Sequence, residues 1–147
     1  MLGGSLEKVL AEAIRRVTGR FKTDLIILHG SYAKGTYIEG YSDVDLVIVS
    51  DDFKGINPLA RISILADLLA GLDKPVEALA YTRDEFLREM HSFNPLVLDA
   101  LEYGRVLIKT GFYDEVLKEF RRLEGVYRLK PSRGGWDWEE AKTSPNR

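Results

Sequence analysis

The amino-acid sequence predicts an α/β domain (α+β in the finer division) in which helices flank a small mixed central sheet. Short apolar runs of strand length alternate along the chain with segments whose apolar residues recur at helical spacing. The chain has 147 residues, of which 45% are hydrophobic and 30% charged, and this suits one domain with a core of its own. These observations exclude a disordered chain and favour interleaved strands and helices.

The predicted elements follow one another without an internal repeat or a linker. The stretch 30–42 is rich in glycine and small polar residues, so we expect a loop with at most a short helix. The run 43–49 is β-branched and apolar apart from two carboxylates, which is typical of a buried strand. We expect helices over 5–19, 57–71, 83–91, 94–104 and 112–124, and strands over 24–29, 43–49, 75–81 and 105–109.

The starts of several helices are signalled by the residues that cap them. Asparagine caps a helix and proline suits its first position, so Asn57-Pro58 and Asn94-Pro95 each begin a helix. Thr82, followed three residues later by Glu85, forms a capping box. Ser5 is expected to cap the first helix.

The chain divides into a domain, residues 1–125, and a tail, residues 126–147, in which no clear hydrophobic period is visible. The tail contains Trp136 and Trp138, whose large apolar rings are unfavourable in water. We therefore expect the tail to be irregular or docked, with the two indoles packed on the domain or on a partner.

Charge and composition narrow the classes of function. Lys and Arg number 21 against 23 Asp and Glu, and this net charge of −2 argues against strong nucleic-acid binding. The absence of cysteine excludes disulfides, thiol catalysis and Cys-ligated zinc. No apolar run approaches the roughly 20 residues of a membrane span, and no secretory signal is visible. We expect a cytoplasmic protein with no membrane partner.

Two carboxylates interrupt the apolar strand 43–49. Asp43 and Asp45 are two residues apart, so their side chains share one face, with backbones roughly 6.6 Å apart. Burying two carboxylates without a counter-charge is costly, and a divalent cation resolves that conflict. Hard oxygen ligands favour Mg²⁺ or Mn²⁺. The strand therefore predicts a metal site.

The residues after the first strand are suited to phosphate. Gly30 and Ser31 follow strand 24–29 directly. Glycine lets the backbone approach a phosphate closely, and the next amides and the Ser31 hydroxyl can donate to its oxygens. Lys34, one turn further on, can place a cation near the same anion. This loop predicts a nucleotide-binding site.

Glu77 is the candidate for a third acidic group. It lies on the predicted strand 75–81, with Leu79 and Tyr81 on the same face. If that strand neighbours 43–49, Glu77 lies near the metal. Three carboxylates and a phosphate-binding loop suit phosphoryl or nucleotidyl transfer, in which metal ions bind the triphosphate and activate an attacking hydroxyl.

This arrangement resembles the nucleotidyltransferase superfamily of the polymerase-β type. The family pattern is a hydrophobic strand, Gly-Ser, a short spacer and Asp-hydrophobic-Asp, with a third carboxylate on a later strand. Leu28-His29-Gly30-Ser31, eleven intervening residues and Asp43-Val44-Asp45 match it. Ser42 and Ala33-Lys34-Gly35 are similar, more narrowly, to the minimal nucleotidyltransferases. The resemblance covers roughly residues 5–124.

The resemblance implies a nucleotidyltransferase fold and the transfer of a nucleoside monophosphate to a hydroxyl group. The transferred group is AMP if the substrate is ATP, or the corresponding monophosphate if the substrate is another nucleoside triphosphate. The acceptor that it implies is a protein, often a HEPN-domain partner in a toxin–antitoxin pair whose antitoxin is the nucleotidyltransferase. A homo-oligomer is compatible with the same family. The catalytic and metal-binding residues that it implies are Asp43, Asp45 and Glu77, and the nucleotide-binding residues are Gly30, Ser31 and Lys34.

Two other classes of function stay open at this stage. Glu77 stands where the family usually has Asp, which is compatible with a catalytically weak module that neutralises a partner protein by contact. A metal-dependent phosphohydrolase or nuclease uses the same carboxylates but leaves Gly30 and Ser31 unexplained. At single positions, Glu77 is alternatively a surface residue of an edge strand, Lys34 a solvated loop residue and His29 a packed strand-end histidine.

Overall fold

The computed structural model describes residues 2–140, with side chains from residue 5 onward. Residues 141–147 of the predicted tail lie outside the described residues. No helix within the described range is long and apolar enough to cross a membrane. The helices are α1 (Leu2–Arg20), α2 (Ser31–Lys34), α3 (Pro58–Leu68), α4 (Arg83–His91), α5 (Pro95–Tyr103) and α6 (Gly111–Tyr127), with a short 3₁₀ helix at Asp51–Phe53. The strands are β1 (Leu25–His29), β2 (Val44–Val49), β3 (Val76–Tyr81), β4 (Arg105–Lys109), β5 (Lys130–Ser132) and β6 (Gly135–Asp137).

The first four strands form one mixed sheet, which confirms the fold class expected from the sequence. Their order is β3-β2-β1-β4. β1 runs antiparallel to both β2 and β4, whereas β2 and β3 are parallel. A parallel pair needs a crossover connection, and α3 lies in that connection. The starts of β2 and β3 therefore lie at the same edge of the sheet as the end of β1.

Helices cover both faces of the sheet, so β1, one of its two central strands, is buried on both sides. Leu25 and Ile27 face a cluster that includes residues of α4, α5 and α6, whereas Ile26 and Leu28 face a cluster that includes residues of α1 and α3. All four side chains are at most 1% exposed. Burial on both faces explains why residues 25–28 of this strand are all apolar instead of alternating with polar residues.

The capped helices begin where the sequence predicts. Asn57 accepts a hydrogen bond from the amide of Leu59 at 2.9 Å. Thr82 and Glu85 form the predicted capping box, in which each side chain accepts from the other residue's amide. These caps are local interactions between near neighbours in the chain, and this is why they can be recognised without the tertiary structure.

The first helix differs from the prediction at both ends. It begins before Ser5, which lies inside the helix and not at its cap. It also continues past the predicted end at Gly19 to Arg20, because the helical hydrogen bonding extends to the amide of Phe21, which donates to the carbonyl of Val17 at 2.8 Å. Phe21 is 7% exposed, so burial of its ring holds the end of the helix in place.

Part of the predicted tail forms a hairpin. β5 and β6 pair antiparallel, with Pro131 opposite Trp136. Trp136 is 8% exposed, and its ring lies 6.3 Å from that of Phe120 on α6, measured between centroids. Trp138 is 48% exposed and lies 5.0 Å from the ring of Phe93. Both indoles thus contact the domain, one buried and one at the surface.

Candidate active site

The strand register brings two of the predicted site residues together. Asp45 on β2 is the direct partner of Glu77 on the parallel strand β3 and of His29 on the antiparallel strand β1. Direct partners on neighbouring strands have adjacent side chains on one face of the sheet. The face is the one that α4, α5 and α6 cover, because Val47 and Val49 of β2 pack there. The adjacency on which the role of Glu77 depends is therefore present.

The carboxyl group of Asp45 lies where a negative charge is unfavourable. Burial, together with the nearby carboxylates of Glu77 and Asp43, raises the pKa of Asp45 to about 6 from an ordinary value of 3.8. A bound cation would instead lower the pKa of Asp45, since it stabilises the ionised carboxylate. The electrostatics of the site thus favour a cation at Asp45.

Gly30 lies against the Asp45 carboxylate. Its φ of 71° and ψ of −154° form a backbone conformation that is essentially restricted to glycine. A Cβ at this position would overlap Asp45 Oδ2. Position 30 therefore requires glycine for its backbone conformation and for the side chain packed on it. The packing of Asp45 on Gly30 is not visible in the sequence, which indicates only that a phosphate can approach this glycine.

A pocket of about 570 Å³ opens beside these residues. Three strands and α5 supply its polar groups, and apolar side chains from α3, β3 and α5 form the rest of its wall. A mostly apolar lining with a few converging polar groups is typical of small-molecule sites of this size. The polar lining residues are His29, Asp45, Glu77 and Asp99, the apolar ones are Ile62, Ala78, Leu79 and Leu96, and Gly30 completes the lining.

Three predicted site residues lie outside the pocket lining: Ser31, Asp43 and Lys34. Ser31 is the first residue of α2 and Asp43 immediately precedes β2, and both are half-buried. The loop before Asp43 is attached to the chain ahead of β3, because the buried ammonium group of Lys74 pairs with Glu39 at 2.6 Å. This ion pair holds the loop between the Gly-Ser motif and β2 against the residues that precede β3, the strand that carries Glu77.

Lys34 contacts α5 and lies outside the pocket lining. Its Nζ lies 3.1 Å from Asp99 Oδ2 and 4.9 Å from the centroid of the Tyr103 ring. It lines a neighbouring cavity of about 310 Å³, and Asp99 borders both cavities. Lys34 is therefore paired with α5 instead of being a free loop lysine.

The pocket also contains His29 and Asp99, for which the sequence predicts no role in the site. Burial lowers the pKa of His29, although the Asp99 carboxylate acts in the opposite direction. The imidazole is therefore mostly neutral near pH 7. The sequence does hold a signal for each residue: His29 precedes Gly30 in the motif, and Asp99 is the one charged residue in the apolar run 96–101.

The donor chemistry of the pocket fits a divalent cation. Asp45 and Glu77 offer adjacent carboxylates, and hard oxygen donors of this kind bind Mg²⁺ or Mn²⁺. Among the described residues, no group of three or more His, Asp and Glu side chains is arranged to hold a metal ion. Mg²⁺ is usually bound by one or two carboxylates plus substrate phosphates instead of by an all-protein cage. The pair therefore suits a metal that is completed by a nucleotide.

The sheet, the Gly-Ser loop and the paired carboxylates form the arrangement expected of a nucleotide-transferring domain. Residues 10–124 match the sequence model of the family described as Nucleotidyltransferase domain. The chain belongs to the nucleotidyltransferase family and is an enzyme of that class. The resemblance inferred from the Gly-Ser and Asp-Val-Asp motifs is thereby confirmed.

Two proteins of Methanocaldococcus jannaschii are similar over most of this chain. One of them, named "Putative protein adenylyltransferase MJ1305", is 31% identical over 136 residues, which cover 86% of this chain and 86% of that protein. MJ0604, which carries the same description, is 33% identical over 105 residues, which cover 69% of this chain and 96% of that protein.

A solved structure shares the fold. It is described as "Crystal structure of the toxin-antitoxin with AMP-PNP", and one of its chains is 24% identical with a TM-score of 0.53. The similarity covers 79% of this chain and 90% of that chain. At this level of identity the likeness concerns the fold, and it agrees with the family assignment.

Proposed function

We propose that this protein catalyses the Mg²⁺-dependent transfer of AMP from ATP to a hydroxyl group of a partner protein. The observation that carries the proposal is the pairing of Asp45 with Glu77 beside Gly30, at the edge of a pocket of suitable size. Membership of the nucleotidyltransferase family supports the type of reaction. Relatives named as protein adenylyltransferases support AMP as the transferred group and a protein as its acceptor.

The transfer needs a phosphate site and a base. Gly30 and Ser31 hold the triphosphate through backbone amides and the Ser31 hydroxyl, and Lys34 supplies a cation at the same anion. The acceptor oxygen attacks the α-phosphorus and its proton passes to Glu77. The bond between the α-phosphorus and the oxygen bridging to the β-phosphate breaks, and pyrophosphate leaves.

The acidic side chains of the site would also hold the metal. Asp45 and Glu77 would bind Mg²⁺ together with the phosphates of the nucleotide, and Asp43, whose charge acts on Asp45, would join them in the loaded enzyme. The ion, when bound, neutralises phosphate charge and lowers the pKa of the attacking hydroxyl. The raised pKa of Asp45 supports this assignment, because burial and neighbouring carboxylates leave its charge uncompensated in the metal-free protein. Mn²⁺ is the alternative ion, since it takes the same oxygen ligands.

We propose further that the acceptor is a HEPN-domain protein and that this chain is the antitoxin of a cytoplasmic toxin–antitoxin pair. The motif resemblance to minimal nucleotidyltransferases supports this, as does the fold shared with a chain of a toxin–antitoxin structure. Ile62, which lines the pocket, is 44% exposed, and Leu59, one turn earlier on α3, is 75% exposed. Exposed apolar side chains thus adjoin the pocket, and they support docking of a protein acceptor there.

The test is transfer to the product of the neighbouring gene. The purified protein, labelled ATP, Mg²⁺ and that purified product are incubated together, and the intact mass of each chain is measured. We expect the partner to gain one adenylyl group and pyrophosphate to appear. Asp45→Asn should abolish the transfer, whereas Glu115→Gln, an exposed change on α6 away from the pocket, should retain it.

Two other outcomes would overturn the proposal. Stable binding of the partner with no change of mass would indicate a module that neutralises by contact. Release of inorganic phosphate from ATP without any transfer would indicate a phosphohydrolase.

A further inference from the structure

Asp99 links three separate parts of the chain at the edge of the pocket. Its Oδ2 accepts a hydrogen bond from Lys34 Nζ at 3.1 Å, and its Oδ1 accepts one from the indole Nε1 of Trp136 at 2.7 Å. Lys34 ends α2, Asp99 lies in the middle of α5, and Trp136 belongs to β6 of the C-terminal hairpin. Both oxygens of the carboxylate are engaged, so its orientation is fixed.

This contact draws the ammonium group of Lys34 toward the hairpin. Lys34 lines the smaller cavity together with Tyr103 and Ser132. The Tyr103 ring, 4.9 Å from Nζ, adds a second attraction on that side. Gly30 and the paired carboxylates line the larger pocket, and Asp99 is common to both.

The hairpin lies outside the part of the chain that matches the family. That match ends at residue 124, whereas β5 begins at Lys130. The indole of Trp136 is buried against Phe120, so its Nε1 is held toward Asp99 by packing that does not depend on a nucleotide. A segment beyond the family domain thus reaches Lys34 through a single carboxylate.

We infer that Asp99 and Trp136 are positioning residues that hold the ammonium group of Lys34 on Asp99 in the nucleotide-free protein, and so keep it from the phosphate oxygens expected at Gly30 and Ser31. The C-terminal hairpin thereby sets the affinity for ATP. This inference rests on the proposed function, in which a triphosphate binds at Gly30 and Ser31. Lys34 must then exchange Asp99 for phosphate oxygens, and the free energy of that exchange weakens the observed binding of ATP.

Trp136→Phe tests the inference without changing any charge. Phenylalanine keeps an aromatic ring against Phe120 but lacks the Nε1 donor, so Asp99 is held less firmly. We expect ATP to bind about two-fold more tightly to Trp136→Phe and about two- to five-fold more tightly to Asp99→Asn, as measured by calorimetry in Mg²⁺. A merely structural role predicts weaker binding, because a loosened α5 distorts the pocket.

Two further variants provide the controls. Trp138→Phe removes an indole that packs on Phe93, so its affinity for ATP should equal that of the wild type. In a Lys34→Ala background, the gain from Trp136→Phe should vanish, since no ammonium group remains to be released. Thermal melting of each variant shows whether it is folded.

The outcomes separate this inference from the proposed function. Unchanged or weaker ATP binding by folded Trp136→Phe, or an equal gain in the Lys34→Ala background, would overturn the inference and leave the proposed function intact. If Asp99→Asn does not fold, Trp136→Phe decides alone. Failure of the wild type and of Trp136→Phe to bind ATP would overturn the proposed function, and the inference with it.

Discussion

The backbone of Gly30 lies so close to the carboxylate of Asp45 that no space for a Cβ remains between them. The contact arises because β1 and β2 are antiparallel neighbours, and the loop after His29 therefore passes beside Asp45, the strand partner of that histidine. Gly30, which is proposed to bind phosphate, and Asp45, which is proposed to bind the metal, thus pack against each other. A change at either is expected to disturb both.

Gly30→Ala should destabilise the protein much more than Gly35→Ala. Both glycines have positive φ values, 71° and 76°, but nothing lies within 4 Å of a Cβ built at Gly35. Gly35→Ala is expected to cost about 1–2 kcal/mol for its left-handed backbone. Gly30→Ala should cost about 1–3 kcal/mol for its backbone, and the overlap with Asp45 adds to that loss. Urea unfolding measures both.

The overlap can be isolated with a second substitution. In an Asp45→Ala background, the cost of Gly30→Ala should fall by about 0.5–3 kcal/mol, because the Oδ2 and Cγ atoms that a Cβ would approach most closely are gone. The cost of Gly35→Ala should be the same in both backgrounds. Equal costs of Gly30→Ala in both would show that the carboxylate moves aside freely.

The stability of the metal-free protein should depend on the protonation of Asp45. Its pKa is raised to about 6 in the folded state from an ordinary 3.8, so the folded protein holds this proton more tightly than the unfolded chain. The contribution of Asp45 to stability therefore declines as pH rises from about 4 through about 6. Asp45→Asn, which cannot ionise, should raise the melting temperature at pH 8 and change it little at pH 4.

Glu115→Gln provides the control for this experiment, since Glu115 is exposed on α6. Its melting temperature should follow that of the wild type at both pH values. Added Mg²⁺ and ATP should reverse the order at pH 8, because only the wild type retains the Asp45 charge that is proposed to bind the cation. An Asp45→Asn protein that is less stable than the wild type at pH 8 without metal would contradict the prediction.

Glu77→Gln should lower the rate of AMP transfer far more than it weakens ATP binding. A residue that accepts a proton in the transition state affects the rate without an equal effect on substrate affinity, and such groups contribute about 100-fold or more. Glu77→Asp should retain measurable transfer, because it restores the residue usual in the family. Rates by intact mass and affinities by calorimetry separate the two effects. Full activity of Glu77→Gln would show that Glu77 is only a surface residue of the edge strand.

Substitution of Arg61 should lower the free energy of unfolding more than most substitutions outside the pocket. Arg61 is 4% exposed, and it donates to the carbonyl of Ile56 at 2.8 Å and to the carboxylate of Glu85 at 2.6 Å. These contacts hold α3, which carries Ile62 of the pocket, against α4. Arg61→Met leaves Glu85 without its cation in a partly buried place, and we expect a loss of about 3–5 kcal/mol by urea unfolding at pH 7.

The loss should depend on pH in a defined direction. The guanidinium of Arg61 lowers the pKa of Glu85 to about 2 from an ordinary 4.5. The stability that this carboxylate contributes is complete above about pH 4.5 and is lost as pH falls toward 2. The difference between the wild type and Arg61→Met should shrink between pH 5 and pH 3. Arg121→Met, which removes an exposed pair with Glu124, should cost less than about 1 kcal/mol at either pH.

The sequence by itself determined the order of the elements, most helix starts and the chemistry of the central motif. Those features are local: Thr82 and Glu85 cap one helix turn, and Asp43 and Asp45 share a face because side chains alternate along a strand. The family could also be recognised, since Gly30-Ser31 and the two aspartates are separated by one loop in the same part of the chain. The catalytic, metal-binding and nucleotide-binding roles of these residues remain predictions.

Only the tertiary structure decided which distant residues meet. Glu77 lies beside Asp45 because β3 pairs with β2 in one particular register, and a shift of one residue would turn Glu77 to the opposite face. Asp99 enters the pocket, and Trp136 reaches Asp99, because α5 and the hairpin pack on the same face of the sheet. Register and packing are set by the burial of side chains far apart in the chain, and no local pattern of residues encodes that burial.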